Sequence, residues 1–292
     1  HGKKRRVYTQ RAPLLGVITA ITPFNHPMNQ VAHKVVPSIA TNNRMVLKPS
    51  EKVPYSAILF ADILYEAGLP PEMLSVLTGD PREIADELIT HPLVDLVTFT
   101  GGVGIGKYIA SKAGYRRMVL ELGGNDPIIV MEDADLDEAS TLAVQGSYKN
   151  SGQRCTAIKR MLVHEAVAAE FVEQVVAKTH AWKHSDPLDK ANDMGTVIDE
   201  QAAMLFESRV NEAVAQGAKL LVGNQRQGAL YAPTVLDQVD PRMTVALEET
   251  FGPVSPIIRF SNIDEAIRIS NGTAYGLSSA VCTNRMDYIT RF

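Results

Sequence analysis

Leu93-Val94-Asp95-Leu96-Val97-Thr98-Phe99-Thr100-Gly101-Gly102-Val103-Gly104-Ile105-Gly106-Lys107 changes character in its middle. Up to Thr100 the residues are apolar and β-rich, which is the pattern of a strand. From Ile105 to Lys112 the spacing is helical, with Gly114 as the expected C-cap. Strand, glycine turn and helix in that order form one half of a βαβ unit. A helix opening just after a strand presents bare N–H groups that suit a phosphate. The glycines do not follow the G-x-G-x-x-G dinucleotide spacing, and a plain tight turn explains them equally well.

The same alternation extends in both directions. Upstream, strands are predicted at Val17 to Ile21, Met45 to Leu47 and Leu74 to Thr78, with helices at Met28 to Ile39, Pro54 to Gly68 and Pro81 to Thr90. Downstream come a strand at Met118 to Leu122, then a second α/β run. That run has strands at Ile128 to Met131, Arg160 to His164, Leu220 to Val222, Thr234 to Leu236, Ile257 to Phe260 and Ser278 to Thr283. Its helices are expected at Leu136 to about Lys149, Val167 to His180, Glu200 to Gln216 and Asp264 to Ser270. Strands alternating with helices of this length indicate a doubly wound parallel sheet, whose ligands bind at the carboxyl ends of the strands. Asn25, Lys48, Glu51, Gly79, Gly101 and Glu121 all fall at or just after predicted strand ends. The Gly123-Gly124 pair marks the expected boundary between the two runs.

Composition narrows the function classes. The chain has 292 residues, 45% hydrophobic and 21% charged, with a net charge of −4. That length suits about two domains. The charge gives no reason to expect nucleic acid or an anionic membrane. Lys3-Lys4-Arg5-Arg6 is followed by no apolar signal core and reads as a solvated strand end. No apolar run approaches the roughly 20 residues of a membrane span. The only two cysteines, Cys155 and Cys282, are no disulfide framework, so a reducing compartment, the cytoplasm, is expected. The first residue is His1, and Asp287 to Phe292 read as a helix cut off in mid-course; both suggest a piece of a longer protein.

Cys155 stands in Asn150-Ser151-Gly152-Gln153-Arg154-Cys155. Alone it would read as a small buried hydrophobe. The preceding glycine and the adjacent Arg154 favour a reactive thiol, because a thiolate forms near positive charge or aligned N–H groups. Glu121, on a glycine-flanked turn, and Asn25, between prolines, would complete thiol chemistry on a carbonyl. Lys48 and Glu51 fit either a solvated pair of loop charges or the ribose hydroxyls of a dinucleotide; a carboxylate there would favour NAD over NADP. The seven histidines are scattered and no metal site is expected. No G-x-S-x-G elbow occurs.

Seven ordered segments carry a resemblance. They are Pro23-Phe24-Asn25-His26-Pro27, Leu47-Lys48-Pro49-Ser50-Glu51, Phe99-Thr100-Gly101, Leu120-Glu121-Leu122-Gly123-Gly124, Gly152-Gln153-Arg154-Cys155, Glu248-Glu249-Thr250-Phe251-Gly252-Pro253 and Asn271-Gly272-Thr273-Ala274-Tyr275-Gly276-Leu277. In order and spacing the chain resembles the NAD(P)-dependent aldehyde dehydrogenase superfamily over its whole length. Around Cys155 and Asn25-His26 it looks most like the phosphonoacetaldehyde dehydrogenases.

The resemblance implies an α/β fold: an oligomerisation strand in residues 1–15, a doubly wound dinucleotide-binding domain at 16–122, and an α/β catalytic domain at 123–292, incomplete at its C-terminus. It implies Cys155 as nucleophile, Asn25 as oxyanion donor with the Cys155 N–H, and Glu121 as general base. Lys48 and Glu51 would hold the adenosine ribose, Gly79 would line the adenine side, and Gly101 would face the phosphates. Glu249 would hold the nicotinamide ribose, and Phe251 would pack by its ring. The cofactor would be NAD, with NADP possible. Gly102 replaces the family's usual serine, removing one hydroxyl contact to the pyrophosphate. His26 and Arg154 would line the aldehyde pocket, and a guanidinium there suits an anionic tail such as that of phosphonoacetaldehyde. Residues 3–13 resemble the first strand of a bridging element, implying a homodimer or homotetramer. The alternatives are a semialdehyde or glycolaldehyde dehydrogenase of the same superfamily, a non-catalytic or truncated member, and a coenzyme A acyltransferase in which Glu121 would be dispensable.

Overall fold

The computed structural model describes Pro13 and residues 16–292. The strand expected over residues 3–13 lies, but for Pro13, outside them. The chain separates after Leu122 into two compact units.

In the first unit β1 (Val17–Ile21), β2 (Arg44–Lys48), β3 (Leu74–Val76), β4 (Val94–Thr100) and β5 (Arg117–Glu121) form one parallel sheet in the order β3-β2-β1-β4-β5. The helices are α1 (Pro27–Ala40), α2 (Tyr55–Glu66), α3 (Pro81–Thr90) and α4 (Val103–Ala113). Strand alternation sends side chains to two faces. Ile18, Ala20, Met45 and Leu47 pack with Val31, Val35, Ala57 and Ala61 of α1 and α2. Val97 and Phe99 pack with Ile89 of α3 and with Ile109 and Ala113 of α4. Thr19, between Ile18 and Ala20, turns to the second face, where its hydroxyl donates to the Leu88 carbonyl at 2.7 Å. The sheet is therefore doubly wound, and its order reverses between β1 and β4.

The second unit holds β6 (Pro127–Val130), α5 (Leu136–Tyr148), β7 (Arg160–His164), α6 (Ala168–Ala181), α7 (Glu200–Ala215) and β8 (Lys219–Val222). The hairpin β9 (Arg226–Gln227) and β10 (Leu230–Tyr231) follows, then β11 (Thr234–Asp237), α8 (Thr244–Leu247), β12 (Val254–Phe260), α9 (Ile263–Ser270), β13 (Ala280–Cys282) and α10 (Met286–Ile289). Six strands form a sheet ordered β13-β6-β7-β12-β11-β8. Ile128, Val130, Met161 and Val163 pack against α5 and α6 through Ala143, Val144, Phe171 and Val175. Ile129, Leu162, Ile258 and Phe260 pack against Ala203, Phe206, Val210, Ala266 and Ile269 of α7 and α9.

Two features depart from the sequence reading. β8 pairs antiparallel with β11, so this sheet is mixed. Only the β9–β10 hairpin separates those strands, and a parallel crossover needs a dozen or more residues, usually a helix. At the C-terminal end, the expected helix over Asp287 to Phe292 is a single turn ending at Ile289. Among the described residues no helix is long and apolar enough to cross a membrane.

Candidate active site

In the first unit the parallel strands end together. Ile21 pairs with Lys48 and Phe99, and Thr100 pairs with Glu121, so Asn25, Lys48, Glu51, Gly79, Gly101 and Glu121 share the carboxyl edge of one sheet. Asn25 and His26 are half-buried in the bend before α1, where His26 is the N-cap residue and Pro27 presets the first helical turn. Lys48 is 4% exposed, and its Nζ lies 3.0 Å from a Glu51 carboxylate oxygen and 3.0 Å from the Pro49 carbonyl. Burial alone would raise Glu51, but its backbone N–H and the Lys48 ammonium draw it below the usual carboxylate range. The two residues expected at the ribose are thus an ion pair.

Gly101 donates its N–H to the Glu121 carbonyl at 3.0 Å, and a methyl group on it would strike the Phe99 ring at 2.5 Å. Gly102 is the N-cap of α4 and supplies no side-chain cap; a methyl group there would meet nothing within 4 Å. Gly79 precedes α3, where the Asp80 side chain accepts from the Arg82 N–H at 2.9 Å. Near the same sheet, Lys34 is 7% exposed and donates to the Thr98 hydroxyl at 3.0 Å. Burial pushes its ammonium down to about 8, against the opposing pull of Glu121.

In the second unit Cys155 ends a loop of unusual backbone. Asn150, Ser151 and Gly152 have φ of 57°, 54° and 69° in succession. Non-glycine residues rarely hold this region without outside support. The support is visible. The Ser151 hydroxyl donates to the Gly195 carbonyl at 3.1 Å, and the Gln153 side-chain oxygen accepts from the Ile198 N–H at 2.7 Å. Arg154 Nη2 donates to the Gly146 carbonyl at 2.6 Å, and Ser147 Oγ to the Ile158 carbonyl at 2.9 Å, stapling the loop to the last turns of α5. Arg154, expected to face the substrate, thus directs one donor into α5. Burial lowers its basicity, the Cys155 charge opposes that, and its buried Nε has no partner among the described residues.

Sequence reasoning passed over Lys159. It is 5% exposed, and its Nζ lies 2.6 Å from the Cys155 carbonyl, 2.9 Å from the Arg154 carbonyl and 3.3 Å from a Glu249 carboxylate oxygen. Glu249 also accepts the Gly124 N–H at 3.2 Å. Burial pushes Glu249 up and Lys159 down, and each charge draws the other partly back. A lysine inside the apolar approach to a strand, Ala157-Ile158-Lys159-Arg160-Met161, was the available signal. Phe251 has φ of 57°, and Arg209 Nη1 donates to the Glu249 carbonyl at 2.6 Å, fixing the turn that carries both residues. Among the described residues no group of three or more His, Cys, Asp or Glu could hold a metal ion.

These arrangements have relatives. The model of the aldehyde dehydrogenase family matches residues 1–292. The chain is 42% identical over 286 residues to a 3-sulfolactaldehyde dehydrogenase of Priestia aryabhattai, covering 98% of this chain and 60% of that protein. It is 40% identical over 292 residues to a lactaldehyde dehydrogenase of Methanocaldococcus jannaschii, covering 99% of this chain and 62% of that protein. Among solved structures, an NADP-dependent glyceraldehyde-3-phosphate dehydrogenase from Bacillus halodurans complexed with NADP matches with a TM-score of 0.94 at 43% identity, over 96% of this chain and 59% of that one. The chain belongs to the aldehyde dehydrogenase family. It spans about three fifths of the length of the relatives it matches.

Proposed function

We propose that the protein oxidises an aldehyde to a carboxylate with a nicotinamide dinucleotide, through a covalent intermediate on Cys155. The observation that carries this reading is the Cys155 loop. Cys155 is half-buried while its loop is pinned from α5, from residues 195–198 and from Lys159. A nucleophile has to be held in this way, reachable but fixed.

The first unit is suited to the cofactor. The first turn of α4 has no side-chain cap and opens at a glycine with free space beside it, which suits a pyrophosphate. Lys48 and Glu51 would hold the adenosine ribose, Gly79 the adenine side, Gly101 the phosphates, Glu249 the nicotinamide ribose and Phe251 the ring. The Lys48 charge beside Glu51 offsets the repulsion of a 2′-phosphate, so NADP fits as well as NAD. When bound, the cofactor accepts a hydride.

The protein's own part follows from the side chains. Cys155 thiolate adds to the aldehyde carbon. The side-chain amide of Asn25 and the N–H of Cys155 hold the resulting oxyanion, each a donor of the kind whose loss costs about 3 kcal/mol elsewhere. The oxyanion re-forms its C=O double bond as hydride leaves, and a thioester remains on Cys155. Glu121 takes a proton from water, and the hydroxide expels the thiolate to give the carboxylate. In the full-length protein Cys155→Ala is expected to abolish turnover, and Glu121→Gln to give a single burst of reduced cofactor and then stall. Steady turnover in either variant contradicts the reading.

We take the aldehyde to be small with an anionic tail, of which phosphonoacetaldehyde is one example and a sulfonated aldehyde another. The Arg154 guanidinium would supply the positive lining, with His26 beside it. The names of relatives that act on 3-sulfolactaldehyde and glyceraldehyde-3-phosphate support this. A small neutral aldehyde is the second reading, favoured by the Arg154 donor spent on Gly146. The intact protein would be a homodimer or homotetramer.

A further inference from the structure

The chemistry above employs Cys155 and Glu249 but gives no reason for the lysine that touches both. An ammonium has three protons. Those of Lys159 have three acceptors: the Arg154 carbonyl at 2.9 Å, the Cys155 carbonyl at 2.6 Å and the Glu249 carboxylate at 3.3 Å. Burying a lysine and a glutamate together is costly, and an apolar pair of similar volume would often serve a core as well. A packing role therefore does not account for the choice of residue.

The covalent geometry supplies a role. The Arg154 carbonyl and the Cys155 N–H belong to one planar trans peptide, so they point in opposite directions and turn together. Two donors fix that carbonyl, the Ala157 N–H at 3.1 Å and the Lys159 ammonium at 2.9 Å, and whatever fixes the carbonyl also aims the N–H. The proposed oxyanion donor is that N–H. The third proton of the same ammonium goes to Glu249, the carboxylate assigned to the nicotinamide ribose.

We propose that Lys159 is a positioning residue, which aims the Cys155 N–H by holding the Arg154 carbonyl and ties that peptide to Glu249, so that cofactor binding is felt at the nucleophile. This inference rests on the dehydrogenase reading of the same site. It predicts that ribose hydroxyls arriving at Glu249 redistribute its bonds to Lys159 and Gly124, and that the Arg154–Cys155 peptide shifts in response.

The test uses the full-length protein as wild type, Lys159→Met, Lys159→Arg, Glu249→Gln and the double variant Lys159→Met/Glu249→Gln. Cofactor binding is followed by NADH and NADPH fluorescence. Cys155 reactivity is followed by the rate of iodoacetamide labelling, with and without saturating NAD or NADP, and kcat and KM are measured with an aldehyde. In the wild type the labelling rate changes when the cofactor binds. In Lys159→Met that response is lost, and kcat falls about 100-fold, as expected of a misplaced reacting group, while the aldehyde KM changes little. Cofactor affinity in Lys159→Met also acquires a steeper pH dependence, because Glu249 has lost its counter-charge. Lys159→Arg recovers part of the response, since its planar fork reaches some but not all of the three acceptors. If Lys159→Met does not fold, the double variant removes the stranded carboxylate and is compared with Glu249→Gln alone: a kcat at saturating cofactor well below that of the single variant is expected, and equal values overturn the proposal. A folded Lys159→Met or double variant with wild-type kcat, or a Lys159→Met with the wild-type labelling response, overturns the proposal. A wild type that binds neither cofactor sinks the dehydrogenase reading instead.

Discussion

Gly152 and Gly252 lie back to back: a methyl group on Gly152 would sit 2.3 Å from the Gly252 carbonyl oxygen. Gly152 also has φ of +69°, so two separate constraints forbid a side chain three residues before the proposed nucleophile. Gly152→Ala is expected to cost about 1–3 kcal/mol from backbone strain alone. It should also displace the Cys155 loop, so activity falls by more than the fraction unfolded. Urea melts alongside kcat/KM check this. A variant with wild-type activity per folded molecule contradicts it.

Arg160 is 3% exposed and binds three main-chain carbonyls, of Asn125 at 2.8 Å, Ile269 at 2.9 Å and Ser270 at 2.9 Å. It joins the start of β7 to the end of α9, where cations suit the last carbonyls of a helix. Burial lowers its guanidinium to about 10, a sign of the desolvation that those carbonyls offset. Arg160→Met removes all three hydrogen bonds, although the Ile269 carbonyl keeps the N–H groups of Asn271 and Gly272, and should destabilise the protein by about 3 kcal/mol or more. Chemical denaturation measures the loss, and a shift under about 1 kcal/mol would show that water replaces the clamp.

Tyr148 closes α5 fully buried, its hydroxyl 3.3 Å from that of Thr179. Burial lifts the phenol to about 12, above the unfolded value of 10. The folded state therefore holds this proton more tightly. The associated stability is fully present below pH 10 and is lost as pH rises through about 12. Tyr148→Phe should cost about 1 kcal/mol at neutral pH, for the lost hydrogen bond, and should flatten the alkaline limb of the stability curve. Parallel alkaline limbs in the two proteins would contradict the assignment.

The charge of the substrate is tested by comparing kcat/KM for phosphonoacetaldehyde, sulfoacetaldehyde and 3-sulfolactaldehyde with that for propanal. Anionic aldehydes are expected to be preferred at least tenfold, and Arg154→Leu to reduce that preference; tenfold corresponds to about 1.4 kcal/mol. Equal values for all four substrates reject the anionic pocket and leave Arg154 as the staple to Gly146.

Much of this was legible in the sequence for physical reasons. Apolar runs such as Pro127 to Val130 belong to strands buried on both faces, and Asp80-Pro81 and Asp135-Leu136 mark helix starts through capping chemistry. The direction of β8 was not legible, because pattern gives burial and not orientation. The left-handed run at Asn150 and Ser151 was not legible either, since contacts from Gly195, Ile198 and Gly252 impose it from far along the chain. Nor was the setting of Lys159, two of whose three partners are main-chain carbonyls that no residue identity reveals.

In the proposed mechanism the substrate carbon becomes bonded to Cys155 and is released by water that Glu121 activates. Intact-protein and peptide mass spectrometry of full-length Glu121→Gln, mixed with aldehyde and NAD or NADP, tests it directly. One acyl group per chain is expected, on the peptide bearing Cys155, appearing only when cofactor and aldehyde are both present. An unmodified Cys155 peptide in a variant that has formed one equivalent of reduced cofactor would contradict it.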